Sequence, residues 1–203
     1  MKINPTESRN KGKKFYISDL HLGHGAIIKI DKRPFSTYEE MYDTIVRNWN
    51  NTVSDEDTVY ILGDFSFKTS IALDIVKKLK GHKVLILGNH DCLNEELKKH
   101  FDIITDYYEM TDKLNHSSVR VILSHYPIAH WNHQFHNAVH VYGHVHNNKD
   151  HKLFREYIKN LSKELNIEAK AYNCGCMLPY MQYTPRTLQE LYELVDLDDI
   201  PSI

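Results

Sequence analysis

"KVLILGNHDC", residues 83–92, joins a short apolar run to an abrupt polar ending. Residues 84–87 have the composition of a strand that is buried on both faces. Gly88 then permits a sharp turn, and Asn89, His90 and Asp91 follow in succession. An amide, an imidazole and a carboxylate at the end of a buried strand predict a site for chemistry at the edge of a sheet.

The same design recurs in four other apolar runs: "FYISD" at 15–19, "TVYILGD" at 58–64, "VRVILSH" at 119–125 and "VHVYGH" at 139–144. Each run is a predicted strand that ends in a side chain able to bind a metal. Segments with helical spacing of apolar residues lie between and after them, at 37–53, 70–81, 94–101, 151–165 and 184–196. Alternating strands and helices predict an α/β fold whose core strands are mostly parallel.

Two details of local structure also follow from the sequence. Pro185 is predicted to occupy the first turn of the last helix. The polar turn in the segment 103–123 predicts an antiparallel hairpin.

Composition limits the classes of function. The chain has 203 residues with 41% hydrophobic and 26% charged side chains, which is typical of a soluble globular protein. We expect one domain over residues 1–203, with a flexible segment at 1–12. The net charge of −2 does not indicate a nucleic-acid partner. We find no apolar run that suits a secretory signal or a membrane span, so we predict a cytoplasmic protein. The oligomeric state stays open.

The polar residues at the predicted strand ends form a mixed set of carboxylates, imidazoles and one amide. They are Asp19, His21, Asp64, Asn89, His125, His144 and His146. Residues two apart in an extended segment point the same way, so Asp19 with His21, and His144 with His146, could each serve one place. Such a set suits Mn²⁺, Fe or Zn²⁺ better than Ca²⁺. Seven ligands exceed one tetrahedral site and fit two metals that share a carboxylate.

These motifs resemble those of a known family. "SDLHLGH", "LGDFSF", "LGNHD", "SHYP" and "YGHVH" are similar to the five motifs of the calcineurin-like metallophosphoesterases. "DKRPF" and "NWN" resemble its small single-domain bacterial and phage branch. The resemblance implies a four-layer α-β-β-α sandwich of two mixed sheets with a dinuclear metal site at the strand ends. The chain departs from many relatives at 147–170, where an insertion with a helix is expected.

The resemblance also assigns roles. The implied ligands of the first metal are Asp19, His21, Asp64 and His146. The implied ligands of the second are Asp64, Asn89, His125 and His144, with Asp64 as the bridge. His90 would be the general acid, and Asp91 would orient it.

The function implied is an enzyme, a hydrolase acting on ester bonds. We expect it to hydrolyse phosphate esters, phosphodiesters first, through a hydroxide that bridges two divalent metal ions. Manganese is the first expectation for both ions, with iron, zinc or nickel as alternatives. The substrate would be a small phosphoester or a nucleotide. The alternatives are a phosphomonoesterase or nucleotide phosphatase with the same mechanism, and a metal-binding scaffold without catalysis.

Four further side chains are candidates for substrate binding, each with a structural alternative. His24 would face the substrate phosphate or stabilise its own loop. Arg33 would clamp a phosphate oxygen or anchor a loop through a salt bridge. Trp131 and His133, in "HWNHQFH", would line the substrate cleft or lie in an ordinary loop. The three cysteines, Cys92, Cys174 and Cys176, are expected to be reduced thiols, Cys92 buried, with a third metal or a redox pair at the last two as a minor alternative.

Overall fold

A computed structural model describes residues 12–195, and it contains two four-stranded sheets with helices packed around them. The strands of the first sheet are β1 (Lys14–Ile17), β2 (Thr58–Leu62), β3 (His82–Ile86) and β4 (Ile103–Thr105), in that order. Those of the second are β5 (Tyr107–Leu114), β6 (Ser117–Ser124), β7 (Val139–Tyr142) and β8 (Lys170–Asn173), also in order. The α/β prediction is confirmed. Most of the segment 1–12 lies outside the described residues.

The helices are α1 (Ile27–Ile30), α2 (Tyr38–Thr52), α3 (Thr69–Val76), α4 (Glu95–Lys98), α5 (Lys149–Leu165) and α6 (Leu188–Leu194). A short 3₁₀ helix covers Gln134–His136. Thr37 caps α2 by accepting a hydrogen bond from the amide of Glu40, as its acidic first turn predicts. The long helix α5 lies within the predicted insertion. No helix among residues 12–195 is long and apolar enough to cross a membrane.

The second sheet separates two apolar clusters. Val121 and Leu123 of β6 join the large cluster that also holds the first sheet and α2, whereas Ile122 joins a smaller cluster with Ile158 of α5. Successive side chains of a strand point to opposite faces, so β6 packs against the first sheet on one face and α5 on the other. This arrangement matches the α-β-β-α layering that the resemblance implied.

The strand directions differ in part from the prediction of two mixed sheets. The pairings β1–β2, β2–β3 and β3–β4 are all parallel, and antiparallel pairing at this sheet is limited, among the described residues, to one bridge between Tyr16 and Arg186. The second sheet is mixed, because β5 pairs antiparallel with β6 and the other pairs are parallel. A long helix-containing connection precedes β2, β3 and β8, which is what parallel pairing requires.

Two local predictions need correction. Pro185 precedes the last helix instead of lying in its first turn, because Thr187 and Glu190 form a capping box that starts α6 at Leu188. The predicted hairpin is shorter than the segment 103–123, since β4 joins the first sheet and only β5 and β6 form the hairpin. Its two-residue turn is Asn115–His116, with φ of 48° and 63° at the two positions, as tight hairpin turns require.

Candidate metal centre

The polar side chains that follow β1, β2, β3, β6 and β7 meet at one edge of the two sheets. The amide of Asp19 donates to the Gly63 carbonyl at 3.0 Å. The amide of His144 donates to both carboxylate oxygens of Asp19 at 3.1 Å. These hydrogen bonds bring together the ends of three strands that are far apart in the sequence. The carboxyl ends of the strands therefore form one polar rim, as the sequence predicted.

Four of the seven predicted ligands form a compact group. Ligand atoms of Asp19, His21, Asp64 and His146 all lie within 4.8 Å of one another, and the group could hold a metal ion. Their arrangement fits a cation: Nε2 of His21 is 3.1 Å from Nε2 of His146 and 3.4 Å from a carboxylate oxygen of Asp64. Burial, followed by the neighbouring His146, lowers the pKa of His21 to about 2. A neutral imidazole is the form that binds metals.

The other three predicted ligands adjoin this group through Asp64. Nε2 of His125 lies 3.1 Å from Oδ1 of Asn89 and 3.6 Å from Oδ1 of Asp64. The ring of His144 is 5.0 Å from the ring of His125. Asp64 therefore turns Oδ2 toward His21 and Oδ1 toward His125. A carboxylate in this position can contribute one oxygen to each of two neighbouring cations.

The backbone at the ligands is unusual. Five of the seven have a positive φ, namely Asp19 (59°), His21 (53°), Asp64 (51°), His144 (70°) and His146 (41°). The expectation of extended Asp-x-His and His-x-His segments is therefore wrong, since β1 ends at Ile17 and β7 at Tyr142. Each left-handed residue turns the chain sharply after its strand and aims its side chain inward. Such conformations cost on the order of 1–3 kcal/mol each and cluster at functional sites.

Two glycines make room for the ligands. Gly63 has a φ of 81°, and a Cβ there would collide with the ring of His125. A Cβ on Gly88 would collide with the carboxylate and the amide nitrogen of Asp64. The strand ends can thus approach closely only because neither residue has a side chain.

Asp91 does not have the predicted role of orienting His90. Its two carboxylate oxygens accept hydrogen bonds from four backbone amides, those of Asp64, Phe65, Ser66 and Gly88, at 2.8–3.0 Å. The carboxylate is fully used in joining the loop after β2 to the loop after β3. Asp91 therefore holds the position of Asp64.

His90 lies beside the first group with its ring exposed. The ring is 5.6 Å from that of His21 and 5.7 Å from that of Phe67, and its backbone amide donates to Oδ1 of Asp64 at 2.9 Å. An exposed imidazole at this place can reach a molecule that occupies the rim. The general-acid role of His90 remains a prediction.

Arg33 anchors the ligand loop. Its guanidinium is buried and donates to the carboxylate of Asp31, to the carbonyls of Asp19 and Leu20, and to the sulfur of Met41. These contacts use all five of its N–H groups, so none is left to clamp a phosphate. The structure therefore supports the loop-anchoring alternative.

Asp31 is a candidate site residue that the sequence motifs did not single out. Its Oδ1 accepts a hydrogen bond from Nδ1 of His146 at 2.7 Å, while its Oδ2 binds Arg33. Burial alone would lower the pKa of His146, but the carboxylates of Asp31 and Asp19 together outweigh burial and raise it. The signal was available in the "DKRPF" motif, where Asp31 precedes Arg33 by two residues.

The remaining candidates are not all brought to the rim. Nδ1 of His24 accepts from the amide of Ala26 at 3.4 Å, and its ring packs 4.3 Å from Phe67, so it both braces its loop and borders the site. Trp131 is buried in the smaller cluster and donates to the Ala138 carbonyl at 2.9 Å, which corrects the expectation that it lines a cleft. His133 is exposed, with a left-handed backbone.

All three cysteines are free thiols. Cys92 is exposed, which corrects the expectation that it is buried. Cys174 and Cys176 are buried beyond the end of β8, and they donate to the carbonyls of Tyr142 and Asp19 at 3.4 and 3.2 Å. Burial raises the pKa of both thiols. The Cys176 thiol thereby helps to hold the loop that follows β1, whereas the Cys174 thiol contacts the end of β7.

Fold and site together define an α/β protein of two four-stranded sheets with a cluster of Asp and His side chains that could hold a metal ion. The chain is 30% identical over 185 residues to an uncharacterized protein of Methanocaldococcus jannaschii, with 90% of each covered. The chain therefore belongs to the same family as that protein.

Two other proteins are similar to the chain. The crystal structure of a protein of unknown function from Aquifex aeolicus aligns with a TM-score of 0.66 and 28% identity, over 91% of this chain and 100% of that one. The gene 66 protein of Mycobacterium phage L5 is 38% identical over 81 residues, 38% of this chain and 39% of that protein. No protein-family model matches the sequence.

Proposed function

We propose that the protein is a dinuclear metal-dependent phosphoesterase of the calcineurin-like type. The observation that carries the proposal is the position of Asp64, whose two carboxylate oxygens face two different groups of ligands. Its partners on one side are His21, Asp19 and His146, and on the other His125, Asn89 and His144. A shared carboxylate between two ligand sets is the arrangement of two-metal hydrolytic sites.

The residues present fit two divalent cations. The donor set of carboxylate, imidazole and amide favours manganese, with iron, zinc or nickel as alternatives. Bound metals would supply Lewis acidity, which lowers the pKa of water and neutralises charge on the phosphate oxygens. The left-handed backbone at five ligands supports this assignment, because such strained conformations cluster at functional sites, where side chains must converge.

The protein's own groups would bind the substrate and move the proton. Nδ1 of His125 lies 2.8 Å from the Leu62 carbonyl, which fits an N–H donor there and leaves the Nε2 lone pair directed at the site. His90, exposed beside this rim, would donate a proton to the leaving oxygen of the ester. The free Nε2 edge of His24 would bind a phosphate oxygen.

We favour small phosphodiesters or nucleotides as substrates. The formal net charge of −2 does not favour a nuclease, which holds a long nucleic acid through a basic surface. Phosphomonoesters are the second choice, since the same residues serve both reactions.

The test is hydrolysis of mono-, di- and cyclic phosphoesters by protein loaded with Mn²⁺. We expect His90→Asn to slow esters with poor alkyl leaving groups far more than aryl esters, because only the former need a proton in the transition state. Equal losses on both kinds of ester would refute the role of His90. Full metal binding without hydrolysis of any ester would favour a scaffold instead.

A further inference from the structure

The contacts of Asp31 connect a ligand of the proposed first metal to a buried guanidinium. Oδ2 of Asp31 accepts from Nε and Nη2 of Arg33 at 2.9 and 2.8 Å, and Oδ1 lies 2.7 Å from Nδ1 of His146. The two oxygens of one carboxylate thus have separate partners. This fixes the direction of Oδ1, so the ring of His146 is fixed with it.

The same guanidinium also binds the loop after β1, which carries two other ligands of the first group. Nη2 of Arg33 donates to the carbonyl of Asp19 at 2.9 Å, and Nη1 donates to the carbonyl of Leu20 at 3.2 Å. These carbonyls belong to the left-handed loop that presents Asp19 and His21. Arg33 therefore stabilises both the loop after β1 and, through Asp31, the imidazole of His146.

The imidazole of His125, in the second ligand group, has a different kind of partner. Nδ1 of His125 faces the neutral carbonyl of Leu62, whereas Nδ1 of His146 faces a carboxylate. A carboxylate behind an imidazole raises its basicity as a ligand more than a carbonyl does. The first group also has Asp19 as a carboxylate of its own, while Asn89, His125 and His144 add no negative charge to the second.

We propose that Arg33 and Asp31 are a positioning pair that makes the first metal position the tighter of the two, so that it fills first. The proposal rests on the dinuclear function proposed above and assigns a specific role to two residues that do not touch the metals. It predicts that Asp31 and Arg33 raise the affinity of the first metal position above that of the second, an effect that a purely structural ion pair would not produce.

The test is a titration of the metal-free protein with Mn²⁺ by isothermal calorimetry. Wild-type protein should bind two ions in two steps. Asp31→Asn, which nearly preserves the shape of the side chain, should weaken the tight step about 10- to 100-fold and leave the weak step unchanged. Asp74→Asn, a change at an exposed carboxylate of α3, is the matched control and should alter neither step.

Equal weakening of both steps, or of neither, overturns the positioning role. A wild-type chain that binds one Mn²⁺ refutes the dinuclear function, and Asp31→Asn still tests the pair through that single step. Thermal unfolding in the presence of a chelator separates a loss of folding from a loss of affinity. If Asp31→Asn does not fold, Asp31→Glu keeps the charge but displaces it, and the tight step should again weaken alone.

A spectroscopic measurement is independent of affinity. At a pH high enough for the His146 ring to be neutral, its ¹⁵N chemical shifts in the metal-free wild-type protein should show the single proton on Nδ1, and Asp31→Asn should redistribute that proton between the two ring nitrogens. Identical shifts in the two proteins would contradict the role of Asp31 in selecting the tautomer.

Discussion

The buried His140 of β7 should make the protein labile in mild acid. The residue is fully buried, its Nδ1 lies 3.0 Å from the Ile122 carbonyl, and its Nε2 accepts from the amide of Ile128 at 3.0 Å. Both ring nitrogens are therefore satisfied by the neutral imidazole. Burial lowers the pKa of His140 to about 4, although hydrogen bonding to the backbone of Ile122 and Tyr126 opposes that shift.

The magnitude follows from the difference between the folded and unfolded states. A fall in the pKa of His140 from the ordinary histidine value of 6.5 to about 4 corresponds to about 3 kcal/mol of differential interaction with the proton. Between these two values the unfolded state binds more protons, so stability rises with pH. The contribution is complete above the unfolded pKa and is lost as the pH falls from 6.5 to about 4.

The assay compares the free energy of unfolding in urea near pH 7.5 and near pH 4.5 for metal-free wild-type and His140→Gln proteins. The glutamine oxygen can accept from the Ile128 amide, but it does not titrate. We expect the variant to be less stable near neutral pH and to lose about 2–3 kcal/mol less on acidification. His136→Gln, at an exposed histidine, is the control. An unchanged pH slope in His140→Gln would refute the reasoning.

Three further predictions concern the site and its supports. Gly88→Ala should abolish the binding of both metals, because the new Cβ collides with Asp64. Circular dichroism should show that the variant is folded, and tight binding of either metal would contradict the prediction. Thr187→Ala should lower the unfolding free energy by about 1 kcal/mol by removing a capping box, measured in urea. Asp57→Asn should cost about 1–2 kcal/mol near pH 7, because hydrogen bonds to the carboxylate lower its pKa despite opposition from burial. The difference from wild type should disappear as the pH falls through the lowered pKa, and a difference that persists there would argue against the role of the charge.

Much of the fold could be predicted because its signals are local. Short runs rich in Val, Ile and Leu ended in Gly or polar residues, and each of the five quoted runs overlaps a strand of the structure. The helix boundaries were less accurate. The last helix began later than predicted because the capping box at Thr187 outweighed the signal of Pro185.

The site was predictable in its composition and not in its geometry. The choice of carboxylates, imidazoles and an amide at strand ends identified seven candidate ligands, and four of them have ligand atoms within 4.8 Å of one another. The extended backbone assumed for Asp19 and His21 was wrong, because positive φ angles depend on contacts with other strands. The roles of Asp91 and Arg33 were likewise decided by partners that no local pattern identifies.

The order of strands and helices, and the chemical nature of the residues at each strand end, can be read from local sequence because hydrophobic periodicity and turn residues act over a few positions. Tertiary structure decided which groups face one another. Asp31 and His146 are 115 residues apart in the chain, yet their side chains are joined by a hydrogen bond of 2.7 Å. Such pairings depend on how the layers pack. The partners of Asp31, Arg33, Asp91 and the ligands are therefore set only in the folded protein.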